Sequence, residues 1–256
     1  MTMISMKTKQ LLRKVLPPSV SLHFMAVLNY RQGEPEIKLL KSLVDPQKDS
    51  IDIGANKGIY TYFLSKLSRR VFAYEPNPEL ARVLAKAVPS NASVCAIALS
   101  DTTGEATLSV PLVDNFLYDQ LGTLKATETT LERQGRTYQV PLQKLDNCQY
   151  DNIGFIKIDV EGHELSVIRG AENLIKTQRP NLLIEIEQKH HSELDISAIF
   201  AEIITLGYEG FFLLDDELQN INKFEPEKHQ NINNYAGLSS LGKTYICNFI
   251  FKPLSI

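Results

Sequence analysis

Apolar and polar positions follow two different periods along this chain. From residue 51 onward, short apolar runs alternate with segments in which apolar residues recur every three to four positions. The short runs predict strands and the longer segments predict helices, an order typical of βαβ units with a parallel sheet. The predicted strands are 50–53, 70–74, 92–99, 155–158, 182–186, 211–214 and 245–251, and the predicted helices are 59–68, 78–87, 164–176 and 196–206.

Two regions depart from this alternation. Residues 1–49 predict an N-terminal helical arm that packs on the core, ahead of a single domain at 50–256. An insertion at about 101–152 holds two alternating segments, GEATLSVPL and RTYQVPLQKL, which predict an antiparallel pair over the sheet edge. The polar stretch 114–135 between them predicts a substrate lid, because a loop this long in a compact domain usually serves function. A second polar stretch, 220–243, predicts a long hairpin connection between the last two strands.

Composition narrows the class of protein. The chain of 256 residues is 43% hydrophobic and 22% charged with a net charge of -3, which is typical of a soluble globular protein and gives no indication of nucleic-acid binding. Its three cysteines lack disulfide or metal-site spacing and fit a reducing cytoplasm. The sequence predicts neither a signal peptide nor an integral membrane segment.

Charge is distributed unevenly at the N-terminus. No acidic residue precedes Glu34, whereas five basic residues do: Lys7, Lys9, Arg13, Lys14 and Arg31. This asymmetry allows weak peripheral contact with an anionic surface. A solvated helix lying over the fold is the simpler interpretation, since so few charges attract weakly at physiological salt.

The segment after the first strand, IDIGANKGIY, carries the chemistry that a ligand site needs. Gly54 allows a sharp turn, Ala55 and Asn56 bring main-chain N–H groups toward a ligand, and Gly58 lets the next helix start close by. Glu75 ends the second strand about 20 residues on, where an acidic side chain accepts the ribose hydroxyls of an adenosine. The glycine spacing differs from the G-x-G-x-x-G of dinucleotide sites and favours a cofactor without a pyrophosphate, such as S-adenosylmethionine.

Five segments, IDIGANKGIYT, AYEPNP, ALSDTTGEATL, PLQKLD and IKIDVEGHE, resemble the FkbM family of S-adenosylmethionine-dependent methyltransferases. The resemblance implies a Rossmann-like class I methyltransferase, an α/β fold with a seven-stranded, mostly parallel sheet, an antiparallel last strand and helices on both faces. It also implies O-methylation of a sugar, glycan precursor or other small metabolite. By position, it implies that Asp52, Gly54, Asn56 and Gly58 contact the methionine part, that Glu75 binds the ribose, that Ala98 to Asp101 flank the adenine, and that Asp159 faces the transferred methyl group.

Methyl transfer to an alcohol requires an aligned oxygen and removal of its proton. Asp159, Glu161 or His163 could accept that proton, and the sequence leaves the choice open. A magnesium site formed by these three residues with Glu185, His190 and His191 is a less favoured alternative, because the sequence shows no tight ligand spacing. We expect at least one of the adjacent His190 and His191 to be exposed, since an extended segment cannot turn both into one site.

Two other functions stay open at this point. One is an S-adenosylmethionine-binding domain without turnover, and the other is a nicotinamide-dependent oxidoreductase. The favoured hypothesis is a methyltransferase with a small-molecule or glycan acceptor, whose identity and whose oligomeric state the sequence does not specify.

Overall fold

The computed structural model describes residues 16–113, 116–117, 124, 135–191, 194–231 and 245–255. The basic residues at 7–14 and most of the predicted lid at 114–135 therefore lie outside the described residues.

The described α-helices follow the predicted order, with one division and one addition, a short helix at Pro226–His229 within the stretch predicted as a connection. The predicted helix 164–176 is two helices, because the main chain bends at Ala171, next to the point where Gly170 packs on Ser100. A Cβ at Gly170 would lie 1.9 Å from the carbonyl oxygen of Ser100. The helices are α1 (Pro18–Gln32), α2 (Leu40–Leu43), α3 (Ile59–Leu67), α4 (Pro78–Ala85), α5 (Glu164–Gly170), α6 (Glu172–Gln178), α7 (Ile196–Thr205) and α8 (Pro226–His229).

The strands form two sheets. They are β1 (Asp49–Ile53), β2 (Val71–Tyr74), β3 (Ala92–Cys95), β4 (Ala98–Leu99), β5 (Gly104–Val113), β6 (Phe116–Leu117), β7 (Gly135–Gln143), β8 (Ile153–Ile158), β9 (Asn181–Glu185), β10 (Tyr208–Leu214), β11 (Glu217–Asn220) and β12 (Asn248–Pro253). Short 3₁₀ helices occur at Pro35–Leu39, Leu145–Asn147, Gln188–His190 and Ile221–Lys223.

The main sheet has the order β11-β10-β12-β9-β8-β1-β2-β3. Strands β3, β2, β1, β8 and β9 run parallel, and β12 lies antiparallel between β9 and β10. The predicted mostly parallel sheet with an antiparallel last strand is confirmed, and one strand was missed. That strand, β11, forms an edge hairpin with β10, and its sequence ELQN is too polar to show a strand pattern.

Apolar side chains cover both faces of this sheet. On one face, Ile51 and Ile156 pack with α5, α6 and α7 through residues such as Val167, Ile175 and Ile199. On the other face lie α2 and α3, and α1 packs against α3 and α4. The N-terminal arm thus lies on the core in its described part, while the domain boundary at residue 49 stays a prediction.

The second sheet has the order β4-β7-β5-β6. Strands β5 and β7 pair antiparallel from Gly104 opposite Leu142 to Pro111 opposite Gly135, as their alternating pattern predicts. The predicted strand 92–99 is divided between the sheets, since β4 leaves the main sheet and pairs with β7. None of the helices in the described ranges combines the length and apolarity needed to cross a bilayer.

Candidate active site

The loop after β1 is shaped by left-handed backbone conformations. Gly54, Asn56 and Gly58 have φ values of 80°, 48° and 82°. The N–H groups of Gly54 and Ala55 both donate to the carbonyl oxygen of Tyr74, at 2.9 Å. These bonds hold the start of the loop against the end of β2. The N–H groups of Ala55 and Asn56, which the sequence predicted to approach a ligand, instead donate within the fold, to Tyr74 and Glu75.

Gly54 also lies against the end of β8. A Cβ at this position would be 1.8 Å from the carbonyl oxygen of Asp159. The N–H of Asp159 donates to the carbonyl oxygen of Ile53 at 2.9 Å, which fixes the two strand ends side by side. The structure therefore brings the glycine loop and Asp159 together, as the motifs predict.

Glu75 is buried, with 6% of its surface exposed, at the end of β2. Its Oε2 accepts the N–H of Asn56 at 2.6 Å and its Oε1 accepts the N–H of Asn77 at 2.8 Å. The carboxylate therefore joins the loops after β1 and β2.

Asp52 and Gly58 connect this loop region to the neighbouring helices α3 and α4. The Asp52 carboxylate is buried and accepts a hydrogen bond from Oγ1 of Thr61 on α3. Burial raises the pKa of Asp52 to about 6, against the opposing effects of Thr61 and of the Lys157 ammonium. Gly58 precedes α3 and allows close packing, because a Cβ there would lie 2.2 Å from Cδ1 of Leu84.

The predicted adenine-side residues lie in the segment that follows β3. Ala98 is buried in β4, and Asp101 is half-buried after it. The hydroxyl of Ser100 lies 3.1 Å from Oδ1 of Asp101 and 2.9 Å from Nε2 of His163. His163 is thus hydrogen-bonded to the segment after β4, a contact that the sequence did not indicate.

Asp159 follows β8 with its side chain 33% exposed. Burial raises the pKa of Asp159 to about 7; the Lys157 ammonium opposes this rise, and the nearby Glu161 and Glu34 carboxylates add to it. A carboxylate with a pKa near neutrality suits general-base work.

Glu161 stands in a strained turn and is ion-paired. Its φ is 49°, and its Oε2 lies 2.8 Å from Nε2 of His190. Burial disfavours the charged form of His190, but the bonds to Glu161 and Glu187 outweigh it and raise the pKa of His190 to about 9. His190 is therefore protonated at neutral pH and lies against the Glu161 carboxylate.

Our expectation that His190 or His191 is exposed was wrong. The side chains are 23% and 1% exposed. Residues 188–190 form a 3₁₀ helix rather than an extended segment, so the two rings reach different carboxylates. Nε2 of His191 lies 2.9 Å from Oε2 of Glu164, whose Oε1 accepts the N–H of Gly162 at 2.8 Å.

A buried polar network beside Asp159 was not predicted. Lys157 is fully buried in β8 and donates to Oδ1 of Asn248 at 3.1 Å. Oε2 of Glu34, from the N-terminal arm, accepts the hydroxyl of Tyr60 at 2.6 Å and the side-chain amide of Asn248 at 3.3 Å. The lysine within an otherwise apolar strand was a visible signal for this network, whereas Glu34 gave none. Among the described residues, no cluster of three or more acidic, histidine or cysteine side chains has a metal-binding arrangement.

The strand order and the glycine loop at the end of β1 define a class I methyltransferase fold. The chain belongs to the FkbM methyltransferase family: the model described as "Methyltransferase FkbM domain" matches residues 52–229. A curated relative, methyltransferase sdnD of Sordaria araneosa, is 26% identical over 154 residues, which cover 48% of this chain and 60% of that protein.

A solved structure of an FkbM methyltransferase agrees at the level of the fold. The methyltransferase FkbM of Methylobacillus flagellatus KT superposes with a TM-score of 0.51 at 16% identity, over 94% of this chain and 57% of that one. SMU.1697c of Streptococcus mutans, solved in complex with SAH, gives a TM-score of 0.46 at 11% identity over 86% and 96% of the two chains. The chain thus spans little more than half the length of the Methylobacillus protein.

Proposed function

We propose that this chain transfers a methyl group from S-adenosylmethionine to a hydroxyl of a sugar, glycan precursor or other small metabolite. The observation that carries the proposal is the contact between the glycine loop and the end of β8. It brings Asp159 beside the glycine loop, at the same sheet edge as the Glu75 carboxylate, which accepts the N–H of Asn56. In open α/β sheets this edge is where ligands bind.

The residues present fit an S-adenosylmethionine cofactor. Gly54 keeps the loop free of a side chain, and Oδ1 of Asn56 is buried without a hydrogen-bond partner among the described residues. A buried acceptor without a partner is costly, and a donor on a ligand would satisfy it. Glu75 would bind the ribose hydroxyls, while Ala98 and Asp101 would flank the adenine. When bound, the cofactor supplies a methyl group on a positively charged sulfur.

On the acceptor side, we assign the base to Asp159. Its side chain is partly exposed and its pKa of about 7 lets it be ionised and still accept a proton near neutral pH. Glu161 is bonded to His190, and His163 is bonded to Ser100. These contacts favour roles for Glu161 and His163 in shaping the turn after β8.

Two measurements test the proposal. Thermal unfolding with S-adenosylmethionine, S-adenosylhomocysteine and NAD separates cofactor classes, because a ligand at 100 times its Kd stabilises the protein by about 2.7 kcal/mol. We expect stabilisation by the first two only. A screen of hydroxylated acceptors with a methyl-labelled cofactor then tests turnover. Cofactor binding without labelled product across sugars, glycan precursors and small alcohols would favour a binding domain without catalysis, and stabilisation by NAD alone would favour an oxidoreductase.

A further inference from the structure

Lys157 has no exposed surface, yet its ammonium lies beside the proposed base. Nζ is 4.0 Å from Oδ2 of Asp159, 3.1 Å from Oδ1 of Asn248 and 3.4 Å from the carbonyl oxygen of Ile158. It also lies 5.0 Å from the centre of the Tyr60 ring. A buried ammonium is costly unless its charge is compensated, and these contacts fix it in one place.

Carboxylates from several elements surround this ammonium. The groups that interact electrostatically with Lys157 are Asp159, Glu185 from β9, Asp52 from β1, Glu34 and Glu36 from the N-terminal arm, and Cys247 from the segment before β12. Those that act on Asp159 itself are Glu161 and Glu164 from the turn after β8, Glu34, and Glu185. Among the described residues, Lys157 is the cation that pairs with Asp159, while His190, whose pKa is raised to about 9, pairs with Glu161 in the same cluster.

The balance between these charges sets whether the Asp159 carboxyl is protonated or ionised. Burial raises the pKa of Asp159 to about 7, and burial and the Asp159 charge raise that of Glu185 well above its usual range. Lys157 opposes both shifts. Glu34 acts in the opposite sense, because its carboxylate adds negative charge to the same cluster while bonding to Tyr60 and Asn248.

We propose that Lys157 is a positioning residue that keeps Asp159 ionised for proton removal, and that Glu34 of the N-terminal arm counteracts it. The inference rests on the proposed function, in which Asp159 is the base. Lys157 has no exposed surface to offer an acceptor, so it acts on proton removal through its pairing with Asp159. The N-terminal arm thereby takes part in setting the charge of the site.

The test is the pH profile of methyl transfer in matched variants. Lys157→Met keeps the length of the side chain and removes its charge, so the acid limb of the profile should move up by about one unit or more. At about pH 6.5 the turnover should fall roughly tenfold and recover at higher pH. Lys157→Arg should restore the wild-type midpoint. Glu34→Gln keeps an acceptor oxygen for Tyr60 and should move the midpoint down. The exposed Glu79→Gln should leave it unchanged.

A second readout needs no acceptor. Carboxyl-carbon NMR can follow the titration of Asp159 directly, with its signal assigned by loss in Asp159→Asn. The proposal is supported if the titration midpoint of Asp159 rises in Lys157→Met and falls in Glu34→Gln. It is overturned if the midpoint is unchanged in both variants while they remain folded. If Lys157→Met does not fold, the direction of the shift in Glu34→Gln decides alone. An active Asp159→Asn enzyme would overturn the role of Asp159 as base, while the titration would still report on Lys157.

Discussion

One carboxylate, that of Glu75, accepts the main-chain N–H of Asn56 and so joins the loops at the ends of two neighbouring parallel strands, β1 and β2. The other oxygen of the same carboxylate accepts the main-chain N–H of Asn77. The residue proposed to bind the ribose therefore also supports the loop that would surround the methionine part.

Glu75→Ala is expected to lower both cofactor affinity and stability. The N–H groups of buried Asn77 and half-buried Asn56 would lose their acceptor, at about 1–3 kcal/mol for the buried one, and the lost ribose bonds would weaken affinity by about a hundredfold or more. Calorimetry and chemical denaturation measure the two effects. Glu79→Ala is the control, because this exposed residue forms a surface ion pair with Arg136 and should cost less than about 1 kcal/mol. Normal affinity in folded Glu75→Ala would contradict the ribose assignment.

Gly54→Ala should abolish cofactor binding and destabilise the fold. Its Cβ would meet the carbonyl oxygen of Asp159 and would separate β1 from β8. Gly207→Ala is the matched control, since Gly207 also has a positive φ, of 87°, but its Cβ would contact only the side chain of Arg179, at 3.4 Å. We expect the control to cost about 1 kcal/mol or slightly more and to bind the cofactor normally. Equal effects of both substitutions would show that backbone strain alone is responsible.

Asp159→Asn should bind cofactor with near-normal affinity while turnover falls at least about a hundredfold, which is about 2.7 kcal/mol of barrier. The charge is removed, whereas the contacts of Glu75 stay intact. His163→Ala should lower turnover less than about tenfold, because Nε2 of its ring is hydrogen-bonded to Ser100. A chelator should have no effect. The reverse pattern, with Asp159→Asn active and His163→Ala inactive, would move the base to the histidine.

Glu164→Ala should lower the unfolding free energy by about 2–5 kcal/mol, because it removes the hydrogen-bond partner of the buried His191 ring and the acceptor of the Gly162 N–H. Glu202→Ala breaks an exposed pair with Arg169 of similar length, 2.8 Å, and should cost about 1 kcal/mol or less. Urea denaturation at neutral pH measures both. Similar losses in the two variants would mean that burial adds nothing at Glu164.

Stability should fall as the pH rises toward neutrality. Burial, reinforced by the charge of Glu34, raises the pKa of Glu36 from 4.5 to about 7. The folded state therefore favours the protonated acid, and this contribution is full below about pH 4.5 and lost as the pH rises through about 7. Glu36 is only 6% exposed, so the unfolding free energy lost through its ionisation is on the order of 3 kcal/mol.

Denaturation between acidic and mildly alkaline pH tests this expectation. Glu36→Gln should flatten the pH dependence and should be more stable than the wild type above pH 7, because it has no charge to bury. The exposed Glu209→Gln should keep the wild-type slope. An unchanged slope in Glu36→Gln would assign the pH dependence to other groups, such as Asp52.

Much of the site could be predicted because it lies where parallel strands end. Asp52, Glu75 and Asp159 each stand at or beside the end of a short apolar run, and such ends meet at one sheet edge in any parallel sheet. The glycine spacing indicated the turn, and the structure places positive φ values at Gly54 and Gly58. These features are local or follow from topology.

The rest depended on contacts between distant segments. Glu34 meets Asn248 across 214 positions of sequence, and nothing near either residue indicates the other. The turn of His190 and His191 toward two carboxylates follows from a short 3₁₀ helix that leaves no periodic pattern. Strand β11 was missed because an edge strand can be polar on both faces when it needs only one hydrogen-bonded neighbour.

The position of β12 has a consequence for how the protein acquires its shape during synthesis. This strand is inserted between β9 and β10, and its first residue, Asn248, holds both Lys157 and Glu34. A nascent chain that emerges N-terminal end first would leave a gap in the sheet until this strand arrives. Until then Lys157 would lack its amide partner, so closure of the core and completion of the site coincide in one late folding step.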